Sequence, residues 1–358
     1  MLNNQLAGIA GIALATLFLI TSCNDPGVLK KSGDKSKEAV TGREVAFKMN
    51  ERLGRGVNLG GSGRLNIREE DFQAIKEAGF NSIRLPIRWS AFSLEEPPYT
   101  IEPSCFEKVD WAINQALSRN LLIVLDFHYY PLISFVGRET SNETLEHSTK
   151  RFLGLWEQIA DHYKDFPPEV LFEVMNEPSN YLGPVRWNEL QNEAISIIRR
   201  TNPTRMIVAG PECWQRVFAL PNMKLPEDDD NIIVSVHCYE PLQFTHQGAT
   251  YVDGAEAWVG TTWTNTAVQK HELLRDFYAM AAWGADNNRP LYLNEFGSDS
   301  IADMDSRALY THTLTRLAEQ MGMSWAYWCF EGSFFGIYDR KSEQYRKPLL
   351  EALIPPGS

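Results

Sequence analysis

Two glutamates, Glu177 and Glu295, stand at the ends of apolar runs, VLFEVMNEPSN and PLYLNEFGS. A carboxylate at the C-terminal end of a barrel strand reads as catalytic rather than structural. One such Glu alone is more often a solvated side chain, because Glu is rarely buried without a partner. Two placed alike on separate strands suggest a pair of carboxyl groups working together. Further polar residues fall near the ends of other apolar runs, each set in phase at period two: Arg84, Asp126 with His128, Glu173 with Glu177, and His237 with Tyr239. Asn58 and Trp328 extend the set. Packed layers inside a barrel should be Val, Ile or Leu, and buried polar groups need partners. One hydrogen-bonded constellation at a barrel mouth is therefore expected, with the deeper Asp126 and Glu173 supporting Arg84 or His128.

The elements that must position these groups alternate along the chain. Short β-rich runs (GRGVNLGG, NSIRLPIRW, LLIVLDFHYY, VLFEVMNEP, RMIVAGPE, NIIVSVHCYE, PLYLNEFGS and MSWAYWCFE) are separated by helix patterns such as REEDFQAIKEAGF and WNELQNEAISIIRRTN. In the latter, apolar residues recur at three and four, as in Phe72, Ile75 and Ala78, or Leu190, Ala194, Ile197 and Ile198. Strands hydrophobic on both faces, interleaved with helices, argue an α/β protein with a single-domain (β/α)8 barrel.

Length and composition agree with that class. The chain has 358 residues, 44% hydrophobic and 22% charged, and a net charge of −12. Such a barrel routinely occupies a chain of this size as one domain. The only Lys cluster is KKSGDKSK, so a nucleic-acid partner is not expected. The start of the chain reads as a processing signal. LAGIAGIALATLFLI has the length of a signal-peptide apolar region, and Ile20-Thr21-Ser22-Cys23 resembles a bacterial lipobox, in which the Cys becomes the lipidated first residue. The alternative is an uncleaved membrane anchor with an incidental Cys. The expected organisation is a signal peptide over residues 1–22, lipidated Cys23 and a polar tether over 23–50, and a catalytic domain over 51–355, lipid-anchored in a bacterial cell envelope, periplasmic or on the outer-membrane surface. Cys105, Cys213, Cys238 and Cys329 show no CxxC spacing, which argues against a thiolate metal site. Export to an oxidising compartment would permit a Cys213–Cys238 bridge.

Taken together, NEP after FEVM, LNEFG, IRLPIRW after KEAGF, HCYEPLQFTHQGA and WAYWCFEGSFFGIYD resemble glycoside hydrolase family 5, and within it the bacterial endoglucanase and mannanase group. The resemblance covers nearly all of residues 51–353. It implies that Glu177 is the general acid/base, Glu295 the nucleophile, and Asn176 the partner of the sugar 2-hydroxyl. It implies that Arg84 and Tyr239 hold the nucleophile ionised, that His128 and His237 surround the reacting sugar, and that Trp328 lies beneath it. Retaining hydrolysis needs two carboxyls about 5–5.5 Å apart, one protonated while the other is charged. An Arg beside Glu295 would leave Glu177 as the acid. The implied substrate is a β-linked polysaccharide, β-1,4-glucan first and β-mannan second, with no cofactor and a monomeric enzyme.

Two departures bear on that choice. GVNLGGSGRLNI reaches the next helix at once where relatives carry a longer loop, and His128-Tyr129 stands where they read His-His. The long loop YYPLISFVGRETSNETLEHS is aromatic enough to reshape the cleft, and Trp89, Trp214, Trp258 and Trp263 are candidates for further subsites. Two other classes are compatible with some of these residues. Glu177, Glu295, His128 and His237 could ligate a divalent metal in a hydrolase or isomerase, although no HExxH accompanies them. A non-catalytic glycan-binding lipoprotein would not require both carboxylates.

Overall fold

A computed structural model describes residues 41–61, 63–134, 140–179, 181–332 and 334–357. The segment expected to be a signal peptide, Cys23 and the expected tether up to residue 40 lie outside them. Eight parallel strands close into a barrel in chain order: β1 (Arg55–Asn58), β2 (Ser82–Ile87), β3 (Leu122–Phe127), β4 (Val170–Glu173), β5 (Ile207–Ala209), β6 (Ile232–His237), β7 (Leu291–Glu295) and β8 (Ser324–Tyr327). Closure is made by β1 against β8, with Gly56 opposite Ala326. The (β/α)8 expectation is met.

Period-two alternation divides each strand between two cores. Ile83, Leu85, Ile123, Leu125, Phe172, Ile207, Val234 and Leu293 point outward into the large strand–helix core. Leu122, Val124, Leu171, Met206, Val208, Ile233, Tyr292 and Ala326 point inward and form a second cluster inside the barrel. The barrel wall is tight at Gly56, where a Cβ would lie 2.6 Å from Ser82 Oγ and 2.9 Å from the Trp325 carbonyl oxygen. Truncating a buried Leu or Ile in either core to Ala would cost about 2–5 kcal/mol, because such cores relax only partly around a void.

The inner cluster is completed by a helix, Gly42–Leu53, whose Ala46, Met49 and Leu53 pack against it. This corrects the tether boundary of residue 50. Thr41 and Glu44 form a reciprocal capping box, which satisfies two amides at the helix start and fixes the chain as helix from Gly42. The anticipated helices appear as Glu69–Glu77, Pro103–Ser118, Asn142–His162, Gly183–Thr201 and Ala267–Asp286. A further helix, Met304–Gln320, packs against β8, started by Asp303 accepting from the Ser306 amide. Between β5 and β6 the chain makes only a short turn, Glu212–Gln215, and a 3-10 segment, Val217–Asn222. Among the described residues, no helix is long and apolar enough to cross a membrane.

Candidate active site

At the C-terminal mouth of the barrel the inward positions change from apolar to ionisable, and Arg84 is their centre. Its guanidinium is fully buried. Nε and Nη2 make a bidentate pair with Glu173, at 2.6 and 2.8 Å. Nη1 donates to Asn58 Oδ1 at 2.8 Å and Glu295 Oε1 at 2.7 Å. Nη2 also reaches Asn176 Oδ1 at 2.7 Å and Asp126 Oδ2 at 2.9 Å. Only the planar fork of an Arg can serve that many acceptors in fixed directions. Asp126 and Glu173 take the supporting place expected of them: Asp126 Oδ2 lies 2.6 Å from His128 Nδ1, and Asn294 Nδ2 donates to Glu173 at 2.9 Å. Burial pushes Asp126 up to about 7, against the pull of Arg84. Removing Arg84 would strand the buried carboxylates of Asp126 and Glu173, at a cost of about 3–5 kcal/mol.

Glu295 is the last residue of β7 and is 4% exposed. Besides Arg84 Nη1, it accepts from the Tyr239 hydroxyl, which reaches Oε2 at 3.0 Å. Two donors therefore converge on one carboxylate and leave its remaining lone pairs facing the cleft. Glu177 is placed differently from its expectation at a strand end. β4 stops at Glu173, four residues earlier. The backbone nevertheless continues the strand's path: the Val174 amide donates to the Val208 carbonyl at 3.0 Å and the Asn176 amide to the Phe127 carbonyl at 3.1 Å. This carries Glu177 over the rim of the barrel toward Glu295.

The environments of the two carboxylates differ. Burial pushes Glu177 up to about 7, outweighing the pull of His128 and Arg84. Its side chain still keeps 32% of its surface open to the cleft, so the group is reachable by a ligand. His237 Nδ1 lies 2.8 Å from Glu177 Oε1 and 3.7 Å from Glu295 Oε2. Burial pushes both His237 and His128 down to about 4, so both rings are neutral at neutral pH. The nearest ligand atoms of Glu177, His237 and Glu295 all lie within 4.8 Å of one another. That trio could hold a divalent ion, but in this geometry His237 Nδ1 is engaged by Glu177. One oxygen of each carboxyl thus lies within 4.8 Å of the other, closer than the 6.5–9.5 Å of an inverting arrangement.

The cleft above them encloses about 180 Å³. His128, Tyr129, Asn176, Tyr239 and Trp328 line it together with both glutamates. Trp328 is half-buried, and its ring lies 5.4 Å from that of His128 at an interplanar angle of 12°. Because Asn176 Oδ1 is held by Arg84, its Nδ2 is the donor left for a ligand.

Residues 43–333 match the cellulase family, glycosyl hydrolase family 5. The chain belongs to this family. It is 31% identical over 327 residues to Endoglucanase H of Acetivibrio thermocellus, a match that takes in 87% of this chain and 34% of that protein. The chain thus spans about a third of that relative's length. Among solved structures, Cel5A of Thermotoga maritima in complex with cellobiose superposes with a TM-score of 0.81 at 39% identity, over 86% of this chain and all of the other. The same enzyme in complex with mannotriose gives 0.80 at 40% identity, with equal coverage.

Of the four tryptophans expected to furnish further subsites in this family 5 hydrolase, the cleft takes one. Trp89 and Trp263 are core residues, packed against Phe106 and Tyr163, and against Phe244 and Tyr310. Trp258 sits half-buried on the turn Ala255–Trp258 and does not line the cleft, whereas Trp214 does. His246, Tyr251 and Phe335 also line it, from loops whose patterns carry no periodic signal. Gln215 carries no sequence signal of its role. Its Nε2 donates to the carbonyls of Met175, at 2.9 Å, and Asn176, while Ser235 Oγ donates to its Oε1 at 2.7 Å. It thereby staples the backbone that presents Glu177, and the turn that brings it there runs through three positive φ values at Cys213, Trp214 and Gln215. Such conformations persist only where surrounding contacts enforce them. Cys105, Cys213, Cys238 and Cys329 are all free thiols, so the Cys213–Cys238 bridge is not formed.

Proposed function

We propose that this protein is a retaining, endo-acting β-1,4-glycanase, in the first place a β-glucanase. The observation that carries the reading is the pair Glu177 and Glu295, with oxygens within 4.8 Å and opposite surroundings. In this reading a Glu295 oxygen attacks the anomeric carbon as the C1–O bond to the leaving sugar breaks. The Glu177 proton passes to the departing oxygen, and a glycosyl ester of Glu295 remains. Water then attacks the same carbon, gives its proton to Glu177 and releases Glu295. Tyr239 and Arg84 hold the attacking carboxylate in line, Asn176 Nδ2 meets the 2-hydroxyl, and Trp328 supports an apolar sugar face. Every side chain in this arrangement comes from one chain, consistent with action as a monomer.

An open cleft favours internal cleavage. The short loop after β1 leaves few walls at the Tyr129 side, while His246 and Tyr251 furnish the other side from the long Gln243–Trp263 segment. On a panel of carboxymethylcellulose, lichenan, glucomannan and galactomannan, the expected outcome is rapid viscosity loss on the glucans with mixed oligosaccharide products. Release of a single small product from chain ends would overturn the endo assignment. The complex of the related Cel5A with mannotriose favours β-mannan as a second substrate, and faster loss of galactomannan viscosity would put mannan first.

The N-terminal pattern supports an envelope lipoprotein. The apolar run of residues 6–20 followed by Ile20-Thr21-Ser22-Cys23 would place a diacyl or triacyl group on Cys23, sufficient for stable anchoring. Cys23→Ala should release the protein from membranes on fractionation. Recovery of that variant still firmly membrane-bound would favour an uncleaved anchor instead.

A further inference from the structure

The guanidinium of Arg88 lies over the ring of Tyr129, 4.2 Å from its centroid. Arg88 follows β2 directly, and Tyr129 is the second residue after β3, so adjacent barrel strands bring the two together at the mouth. Tyr129 lines the substrate cleft beside His128 and Trp328. The stem of Arg88 is seated on Gly63. A Cβ there would come within 2.4 Å of Arg88 Cγ, the glycine holds φ +65°, and its carbonyl accepts from the Arg88 amide at 3.0 Å. Tyr129 likewise holds a positive φ of 57°, a conformation uncommon for a bulky residue and a candidate mark of a functional position.

What this cation lacks is a counter-charge. Other buried arginines of the barrel are met by acceptors: Arg84, Arg199 and Arg340 by the carboxylates of Glu173, Asp229 and Asp71, and Arg151, Arg205 and Arg289 by backbone carbonyls. Among the described residues, Arg88 makes no ion pair, and its Nε is buried without a partner. This occurs in a chain carrying 46 Asp and Glu against 34 Lys and Arg. A partly desolvated guanidinium left unpaired is costly unless something else completes it, and its fork matches a carboxylate bidentately.

We propose that Arg88 and Tyr129 form a subsite for an anionic sugar, with a uronic-acid-type carboxylate in the guanidinium fork and the pyranose ring beside Tyr129. The inference rests on the β-glycanase reading and narrows its substrates to glycans that carry carboxylate groups on some units. It also gives the shortened loop after β1 a use. Gly63 lies in that loop, and its missing side chain leaves the room in which Arg88 reaches the ring.

The test compares two soluble probes with one backbone: a β-1,4-linked cello-oligosaccharide, and its counterpart oxidised at C6 so that some units are glucuronyl. The readout is the ratio of kcat/KM for the oxidised probe to that for the neutral one. Arg88→Gln is expected to lower this ratio about tenfold, the scale of one charge-assisted bidentate contact. Raising the ionic strength should shrink the wild-type ratio and leave that of the variant unmoved. Gly63→Ala, which displaces the Arg88 stem without removing it, should lower the ratio in the same direction and serves if Arg88→Gln is poorly folded. An unchanged ratio in both variants would overturn the proposal, as would an equal loss on both probes. If neither probe is cleaved by the wild type, the glycanase reading fails. Calorimetric binding of the same two probes to Glu295→Gln protein, with and without Arg88→Gln, then decides the anionic subsite separately.

Discussion

Glu295→Ala is expected to abolish turnover, and added azide to restore it with a glycosyl azide of inverted anomeric configuration. Glu295 is the carboxylate that Arg84 Nη1 and the Tyr239 hydroxyl grip at 2.7 and 3.0 Å, pointing into the cleft from the end of β7. Removing it deletes the group proposed to form the glycosyl ester, so the loss on aryl β-cellobioside should be on the order of 10⁶, the scale observed when a covalent nucleophile is removed. Alanine leaves a carboxylate-sized space on the face opposite the leaving group. A small anion entering it attacks once, and no second displacement follows to restore configuration. Proton NMR of the anomeric product, with and without azide, reads the outcome. Wild-type hydrolysis with net inversion, or a Glu295→Ala protein indifferent to azide, would remove Glu295 from the nucleophile's role. The expected stability change is small beside the kinetic one. Arg84 keeps Glu173 and Asp126 as partners, so its charge is not stranded when Glu295 is lost.

The barrel was legible in the sequence because strand and helix periods differ and both are strong here. Apolar residues at three and four mark helices such as Gly183–Thr201, and the strands are apolar on both faces because helices cover one and the inner cluster fills the other. The polar constellation was legible for the same reason: Arg84, Asp126, Glu173 and His237 occupy inward positions where a packed barrel has no use for charge. Contacts made by irregular backbone were not legible. Glu177 reaches its place on backbone beyond the end of β4, held by amide bonds to neighbouring strands that no local pattern announces. Gln215 acts through a run of positive φ, which the residue types Cys-Trp-Gln do not foretell. Trp89 and Trp214 look alike as residues near strand ends, yet one packs under the 3-10 turn Trp89–Phe92 and the other lines the cleft. The helix at Gly42–Leu53 was hidden by its polar, Lys-rich approach. Its buried stripe of Ala46, Met49 and Leu53 is narrow and serves only to plug the barrel floor.

Glu177→Ala is expected to divide substrates by their leaving groups. On an unactivated glucan the rate should fall on the order of 10²–10⁴, the contribution of a positioned general acid. On a dinitrophenyl glycoside, whose leaving group departs without a proton, the first displacement should survive and the second, which needs a base, should become limiting. Azide should then accelerate release from the glycosyl ester and yield a product of retained configuration, the opposite of the Glu295→Ala result. The pH profile follows from the state of the same carboxyl. Burial raises Glu177 to about 7, and the acid works only while protonated. Wild-type kcat/KM on a glucan should therefore fall as pH rises through about 7, by about tenfold per unit beyond it. His237 and His128, held down to about 4, stay neutral across that range and do not generate the limb. Glu177→Gln has no proton to lose, so its residual activity on the activated glycoside should be flat through pH 7. An alkaline limb that persists unchanged in Glu177→Gln, or an equal loss on both substrates in Glu177→Ala, would assign the acid to another group.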